Sequence, residues 1–205
     1  MERLAERITD FFVANNAAKP EWKPLYIAGL KLILSEVLNF LLVLAAGAFL
    51  SSLYDSFLYL LTFCSVRGFS GGFHAKKHWI CRAVMVGTFL LILIAKGPAV
   101  RTWPRILPSI GGAALFIIGR FSPIEHPNKY LSEEKKRKNR RKAFWVSVAY
   151  FIAAWIFLLL GREEGMIILL TLAAVAFLMP VGSLANARDR EHTKDSLEEN
   201  EGVWE

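Results

Sequence analysis

Charge is withheld from about half of this sequence. Six apolar stretches, residues 32–50, 53–66, 79–95, 106–119, 143–160 and 165–182, hold only Glu36, Asp55 and Arg82 out of the 25 Lys+Arg and 18 Asp+Glu in 205 residues. A charge at mid-bilayer costs roughly 2.5–3.5 kcal/mol on insertion scales, so a bilayer demands segregation of this kind. Cysteine is scarce as well. Cys64 and Cys81 are the two in the chain, too few for a disulfide framework, which excludes a small secreted scaffold. The short alternating segments of a β-barrel are missing, and so is the mixed polarity of a soluble enzyme domain. No signal peptide is expected, because the first apolar run starts near Leu25 and the residues before it mix Glu2, Glu6 and Asp10 with Arg3 and Arg7.

What is present reads as all-α: a polytopic integral membrane helical bundle of about six membrane segments behind an amphipathic start. Leu4, Ile8, Phe11 and Phe12 line one side of a helix within residues 3–16 with charges opposite, the pattern of an interfacial helix. Pro20 and Pro24 break it, and Trp22 suits the headgroup layer. Residues 1–24 therefore form an interfacial segment, 25–182 the membrane domain and 183–205 a polar tail, expected to be disordered. The second and fourth stretches, at 14 residues each, reach only about 21 Å as helix against a hydrocarbon core of about 30 Å, so either can be re-entrant rather than spanning. The loops 67–78 and 120–142 and the tail carry most of the Lys and Arg, which puts both termini on the cytoplasmic side. That bias also accounts for the net charge of +7, so lipid headgroups rather than nucleic acid are the expected partner.

The residues with chemical promise follow the second stretch. Gly68, Gly71 and Gly72 disfavour a helix there, while the next stretch is helix-competent, with Cys81 expected about two turns inside it. Lys76, Lys77, Arg82, His74 and His78 lie nearby in sequence, a basic setting of the kind that favours thiolate. Were residues 74–81 one continuous helix, His74 would stand about 10 Å from Cys81, and His78, three residues before it, would be closer. Spacing alone thus favours His78 slightly and leaves open an inert cysteine beside a basic loop. Cys64, within an apolar run, reads as packing. A metal site is not expected: His74 and His78 are four apart, without the zincin glutamate between them.

Arg67, Gly71-Gly72, His74-Ala75 and Cys81 resemble the signature of the accessory gene regulator B family, in which Gly-Gly-x-His-Ala is followed by a cysteine seven residues past the histidine. Pro123-Ile124-Glu125-His126-Pro127-Asn128-Lys129 and the basic run after it are similar to that family's second cytoplasmic loop, so the likeness covers almost the whole chain. The resemblance implies a membrane cysteine endopeptidase of the bacterial cell membrane that processes a quorum-sensing propeptide, with no cofactor. It makes Cys81 the nucleophile and His74 its base, with His78 as the competing base. Arg67, Gly71 and Gly72 would shape the site. The implied substrate is a short propeptide with an amphipathic N-terminus and an acidic tail, cut and then cyclised to a thiolactone or lactone through a Cys-linked acyl-enzyme. A homodimer is compatible with this reading. Glu36, Asp55 and Asn39 are candidates to orient the histidine, each equally able to be a buried structural polar group.

Residues 135–142 carry seven positive charges, and Ser132 with Glu133 and Glu134 is suited to start a helix there. Anchoring to anionic lipid is the plain role of such a run; Lys135, Lys136 and Arg137 are also candidates to hold the acidic tail. Two other classes remain: a small peptide transporter or exporter using Glu36 and Asp55 as coupling charges, and a non-catalytic membrane scaffold. Both would survive loss of Cys81 and His74.

Overall fold

The computed structural model describes residues 2–70, 78–102, 107–123 and 132–201. Among the described residues there is no strand. The elements are α1 (Glu2–Ala14), a 3-10 turn (Pro20–Trp22), α2 (Lys23–Phe49), α3 (Leu53–Ser70), α4 (His78–Thr102), α5 (Leu107–Phe121), α6 (Glu133–Leu159) and α7 (Glu164–Glu201). Each apolar stretch of the sequence thus supplies one helix, and the amphipathic start supplies α1.

Local chemistry sets the boundaries. Pro20 and Pro24 occupy the opening positions of the 3-10 turn and of α2, where a missing N–H costs nothing. α1 then doubles back along α2: Asp10 pairs with Lys23 at 2.6 Å and Glu2 with Lys31. The Lys31 ammonium holds the Glu2 carboxyl below the usual carboxylate range. Ala5 and Thr9 are buried while Leu4, Phe11 and Phe12 remain exposed, available to a lipid interface. α2 ends where Ser51 takes a positive φ of 55°, and the Ser52 amide bonds the Gly47 carbonyl at 2.7 Å. That tight reversal sets α3 antiparallel to α2. A side chain at Gly47 would strike Ser56 of α3, so the glycine is what lets the two backbones approach. α6 begins as expected, with the Ser132 hydroxyl accepting from the Lys135 amide and Glu133 and Glu134 in the first turn. It ends at Gly161, whose φ of +71° is the left-handed conformation that stops helices.

α7 is the centre of the bundle. It packs against α3, α4, α5 and α6, and Ile167, Leu169 and Leu172 are fully buried. A side chain on Gly111 of α5 would fall 2.6 Å from Phe151 of α6 and 3.0 Å from Leu169 of α7, so α5 is seated in the groove between them. α3 is the second interior helix, with Tyr59 and Val66 fully buried. α2, α4 and α6 surround this pair with apolar side chains turned outward: Phe49 is 91% exposed, Leu159 79% and Ile94 72%. In water such surfaces would be untenable; against lipid tails they are the ordinary outer face.

Among the described residues four helical segments are long and apolar enough to cross a membrane: Pro20–Phe49, Trp79–Pro98, Glu133–Leu159 and Glu164–Ser183. The second stretch grows to an 18-residue helix because α3 takes in Arg67 and Gly68 and runs to Ser70. The glycine-rich composition disfavoured helix at Gly68; burial of Val66 and Ser70 on the same helix overrides that weak preference. The fourth stretch remains short, as α5 has 15 residues. A further difference lies in the tail. Rather than being disordered, the chain continues α7 through Pro180 to Glu201. After Ser183 there is neither glycine nor proline until Gly202, and the residues between are rich in Ala, Leu, Glu, Lys and Arg, which favour helix.

Candidate active site

Three contacts fix how far along α3 the cysteine of α4 sits. The Tyr59 hydroxyl donates to the Met85 carbonyl at 2.9 Å, the Tyr59 ring meets Phe89 with centroids 5.3 Å apart, and Lys96 donates to Asp55 at 3.0 and 3.2 Å. α3 and α4 are therefore antiparallel. Counting back along α4 from Met85 and Phe89 brings Cys81 level with residues 63–67 of α3. α2 is placed by Gly47 against Ser56. Eight residues back from Gly47 is Asn39 and eight on from Ser56 is Cys64; eleven residues give Glu36 and Arg67. One end of the α2–α3–α4 wedge thus gathers Glu36, Asn39, Cys64, Arg67 and Cys81 within about a turn of one another.

The electrostatics agree with that register. Arg67, Glu36 and Arg82 are the charges whose fields reach the Cys81 thiol, and Glu36 and Arg67 also reach Cys64. Both thiols are free and half-buried. The Arg67 guanidinium lies over the Phe63 ring, 5.2 Å from its centroid, which fixes the charge beside the wedge. Arg67 and Arg82 are positive neighbours of the kind a cysteine nucleophile uses, and the Glu36 carboxylate at the same end opposes them. Cys81 is the fourth residue of the helix that opens with His78, so it sits one turn in rather than the expected two. Proline and glycine are absent from residues 73–81, so no residue there marks the helix start by itself.

His74, Gly71 and Gly72 lie outside the described residues, as does the side chain of His78. Asp55 does not join the site. It stands at the first turn of α3 and is held by Lys96, twelve residues from Arg67 and so about 18 Å away along the helix. Its part is structural: the pair ties the far ends of α3 and α4 together. Lys96 follows directly on the apolar stretch 79–95, and nothing in the sequence pairs it with Asp55. Glu36 and Asn39 do lie at the site end. Asn39 is fully buried, and among the described residues neither its Nδ2 nor its Oδ1 has a hydrogen-bond partner, at a cost of roughly 1–3 kcal/mol for each unmet group.

The basic run arrives at this end through α6. The Tyr150 hydroxyl donates to the Leu61 carbonyl at 3.2 Å and lies 3.0 Å from Ser65 Oγ, and Lys142 Nζ sits 5.4 Å from the centroid of the Phe69 ring. α6 is therefore antiparallel to α3, and its residues before Lys142 extend past the end of α3. The run is divided in its duties. Arg140 Nε donates to the Gly119 carbonyl at 2.6 Å, which caps α5, and Lys142 is committed to Phe69. Lys136 pairs with Glu133 at 2.6 Å, one turn away on the same helix, while Lys135 and Arg137 are exposed.

The chain is 24% identical over 182 residues to an AgrB-like protein of Halalkalibacterium halodurans, covering 89% of this chain and 88% of that one. It is 26% identical over 89 residues to Protein FsrB of Enterococcus faecalis, covering 43% of this chain. The matched segment spans about a third of FsrB, 36% of its length. No solved structure matches. The sequence profile described as Accessory gene regulator B matches residues 5–180, a span that takes in most of α1, the cysteine wedge, the basic run and α7 as far as Pro180, and on that match the chain belongs to the accessory gene regulator B family.

Proposed function

We propose that this membrane protein is a cysteine endopeptidase that cuts the C-terminal part from a quorum-sensing propeptide and cyclises what remains. The observation that carries the reading is the position of Cys81: level with residues 63–67 of α3 at one end of the bundle, next to Arg82 in the sequence, and at the end from which the basic run of α6 extends. In this reading both termini face the cytoplasm, and the site opens at the cytoplasmic edge of the helices.

The chemistry follows from acyl transfer. Cys81, after its proton passes to His74, attacks the carbonyl at the C-terminal edge of the signal sequence. The C–S bond forms, the C–N bond breaks, the leaving amine takes the proton, and a thioester remains on Cys81. A nucleophilic side chain within the held peptide then attacks the thioester, closing a thiolactone or lactone and returning the thiol. Thioester exchange is nearly balanced in energy, whereas hydrolysis is downhill, so the site must exclude water to give a ring instead of a linear product. Lys135, Lys136 and Arg137 hold the propeptide's acidic tail and so set the scissile bond over Cys81.

The test is made on purified protein in lipid, given a synthetic propeptide of the kind described. Wild type and Cys64→Ala should both form an acyl adduct on Cys81 by mass spectrometry and both release the tail. Cys81→Ala should do neither. Cleavage persisting in Cys81→Ala would overturn the proposal and leave the transporter and scaffold readings.

A further inference from the structure

Asn39 is the buried group that the fold leaves unanswered. It lies on the inward stripe Ser35, Asn39, Val43 and Gly47 of α2. Past the reach of α1, the helices packed on α2 are α3 and α4, so the carboxamide is enclosed in the wedge that holds both cysteines. It is 0% exposed. Among the described residues neither its nitrogen nor its oxygen has a hydrogen-bond partner. By the register already given, Asn39 is level with Cys64 and within three residues of the level of Cys81, at most about 5 Å along the bundle axis. An unpaired amide buried among apolar helices is retained where something else uses it.

We infer that Asn39 is a catalytic residue of the acyl transfer on Cys81: its Nδ2–H donates to the carbonyl oxygen of the bound acyl group as that oxygen becomes an oxyanion. This inference rests on the proposed peptidase reading. When the Cys81 sulfur adds to a carbonyl, the π pair moves onto oxygen; when the tetrahedral intermediate collapses, the pair returns and the leaving group departs with its electrons. A donor already fixed in a dry, low-dielectric wedge needs no reorganisation to meet that charge. The empty hydrogen-bonding capacity of the free protein is then the capacity used in the reaction. Asn39 thus serves the electrophile and leaves the orientation of the histidine to another group.

The test separates oxyanion stabilisation from thiol reactivity. In a Cys64→Ala background in lipid, Cys81 is acylated with p-nitrophenyl acetate, which passes through an oxyanion, and in parallel alkylated with iodoacetamide, which does not. Asn39→Leu should slow acylation about 10²-fold while alkylation stays within about twofold. Taking the ratio of the two rates on one sample cancels any misfolded fraction. Asn39→Met, uncharged and likewise without a donor, should lower the ratio as well. A ratio within about threefold of wild type in both variants would overturn the inference, as would equal slowing of the two reactions. The propeptide assay with Cys81→Ala keeps the two readings apart. If Cys81→Ala still cleaves, the peptidase reading fails; if it is dead while Asn39→Leu acylates normally, the role of Asn39 alone fails.

Discussion

Two acidic residues lie within the apolar stretches, and the bundle treats them in opposite ways. At the far end of α3, Asp55 is buried and meets Lys96 at 3.0 Å, with only 12% and 19% of the two side chains exposed. Its charge is answered inside the protein by a residue of the neighbouring helix. At the near end Glu36 stays exposed and shares its surroundings with Arg67, two half-buried thiols and an unpaired Asn39. One end is electrostatically closed, the other chemically open. A buried pair satisfied by its own fold fixes the packing of two helices, whereas polar groups left unmet around a thiol are capacity for a ligand.

The comparison can be broken most sharply at the histidines. His74→Ala should cut propeptide cleavage by about 10²–10⁴-fold, the range expected for loss of a general base, with His78→Ala close to wild type and membrane insertion checked in both. The reverse result would make His78 the base and would show that helical spacing outweighs the motif. At the far end the expected effect is on stability. Asp55→Asn should lower the unfolding free energy by about 2 kcal/mol, less than the 3–5 of a fully buried pair because both side chains keep some exposure. Replacing both partners, Asp55→Leu with Lys96→Met, should bring the loss back to within about 1 kcal/mol. Thermal unfolding in detergent measures both, and cleavage by the folded fraction should stay unchanged. Loss of cleavage without loss of stability would make the far end part of the chemistry. The smallest effect belongs to the rim. Changing Lys135, Lys136 and Arg137 to Gln while leaving Arg140 and Lys142 on their Gly119 and Phe69 contacts should raise KM about fivefold, since exposed charge pairs are worth only tenths of a kcal/mol each. A propeptide with a neutralised tail should show no such rise, and equal effects on both substrates would reduce the run to a lipid anchor.

Much of the architecture is carried by local and periodic signals. The spacing of Leu4, Ile8, Phe11 and Phe12 marks α1, the prolines at 20 and 24 mark the break before α2, and Ser132 with Glu133 and Glu134 marks the start of α6. Each depends on residues within a turn or two, so the sequence states it directly. Gly68 and the tail after Ser183 were harder to read. A glycine in a helix costs only about 1 kcal/mol, which burial of its neighbours outweighs, and a polar charged segment can be helix or coil according to where it is attached.

The candidate site divides along the same line. Cys81, its basic neighbours and its place at the edge of an apolar stretch are legible because they are a matter of residue type and spacing. That Asp55 belongs with Lys96, that Lys142 is committed to Phe69, and that Asn39 is enclosed beside Cys64 are not. Those pairings join residues 25 to 73 positions apart, and hydropathy does not rank one long-range partner above another. The sequence alone determined a helical membrane protein with an unusual cysteine at the edge of a span, because the exclusion of charge from lipid is written residue by residue. Only the tertiary structure decided which polar residues of that span are answered and which are left open, because that depends on the register at which antiparallel helices meet, set here by the approach of Gly47 to Ser56 and by the bond from Tyr59 to Met85.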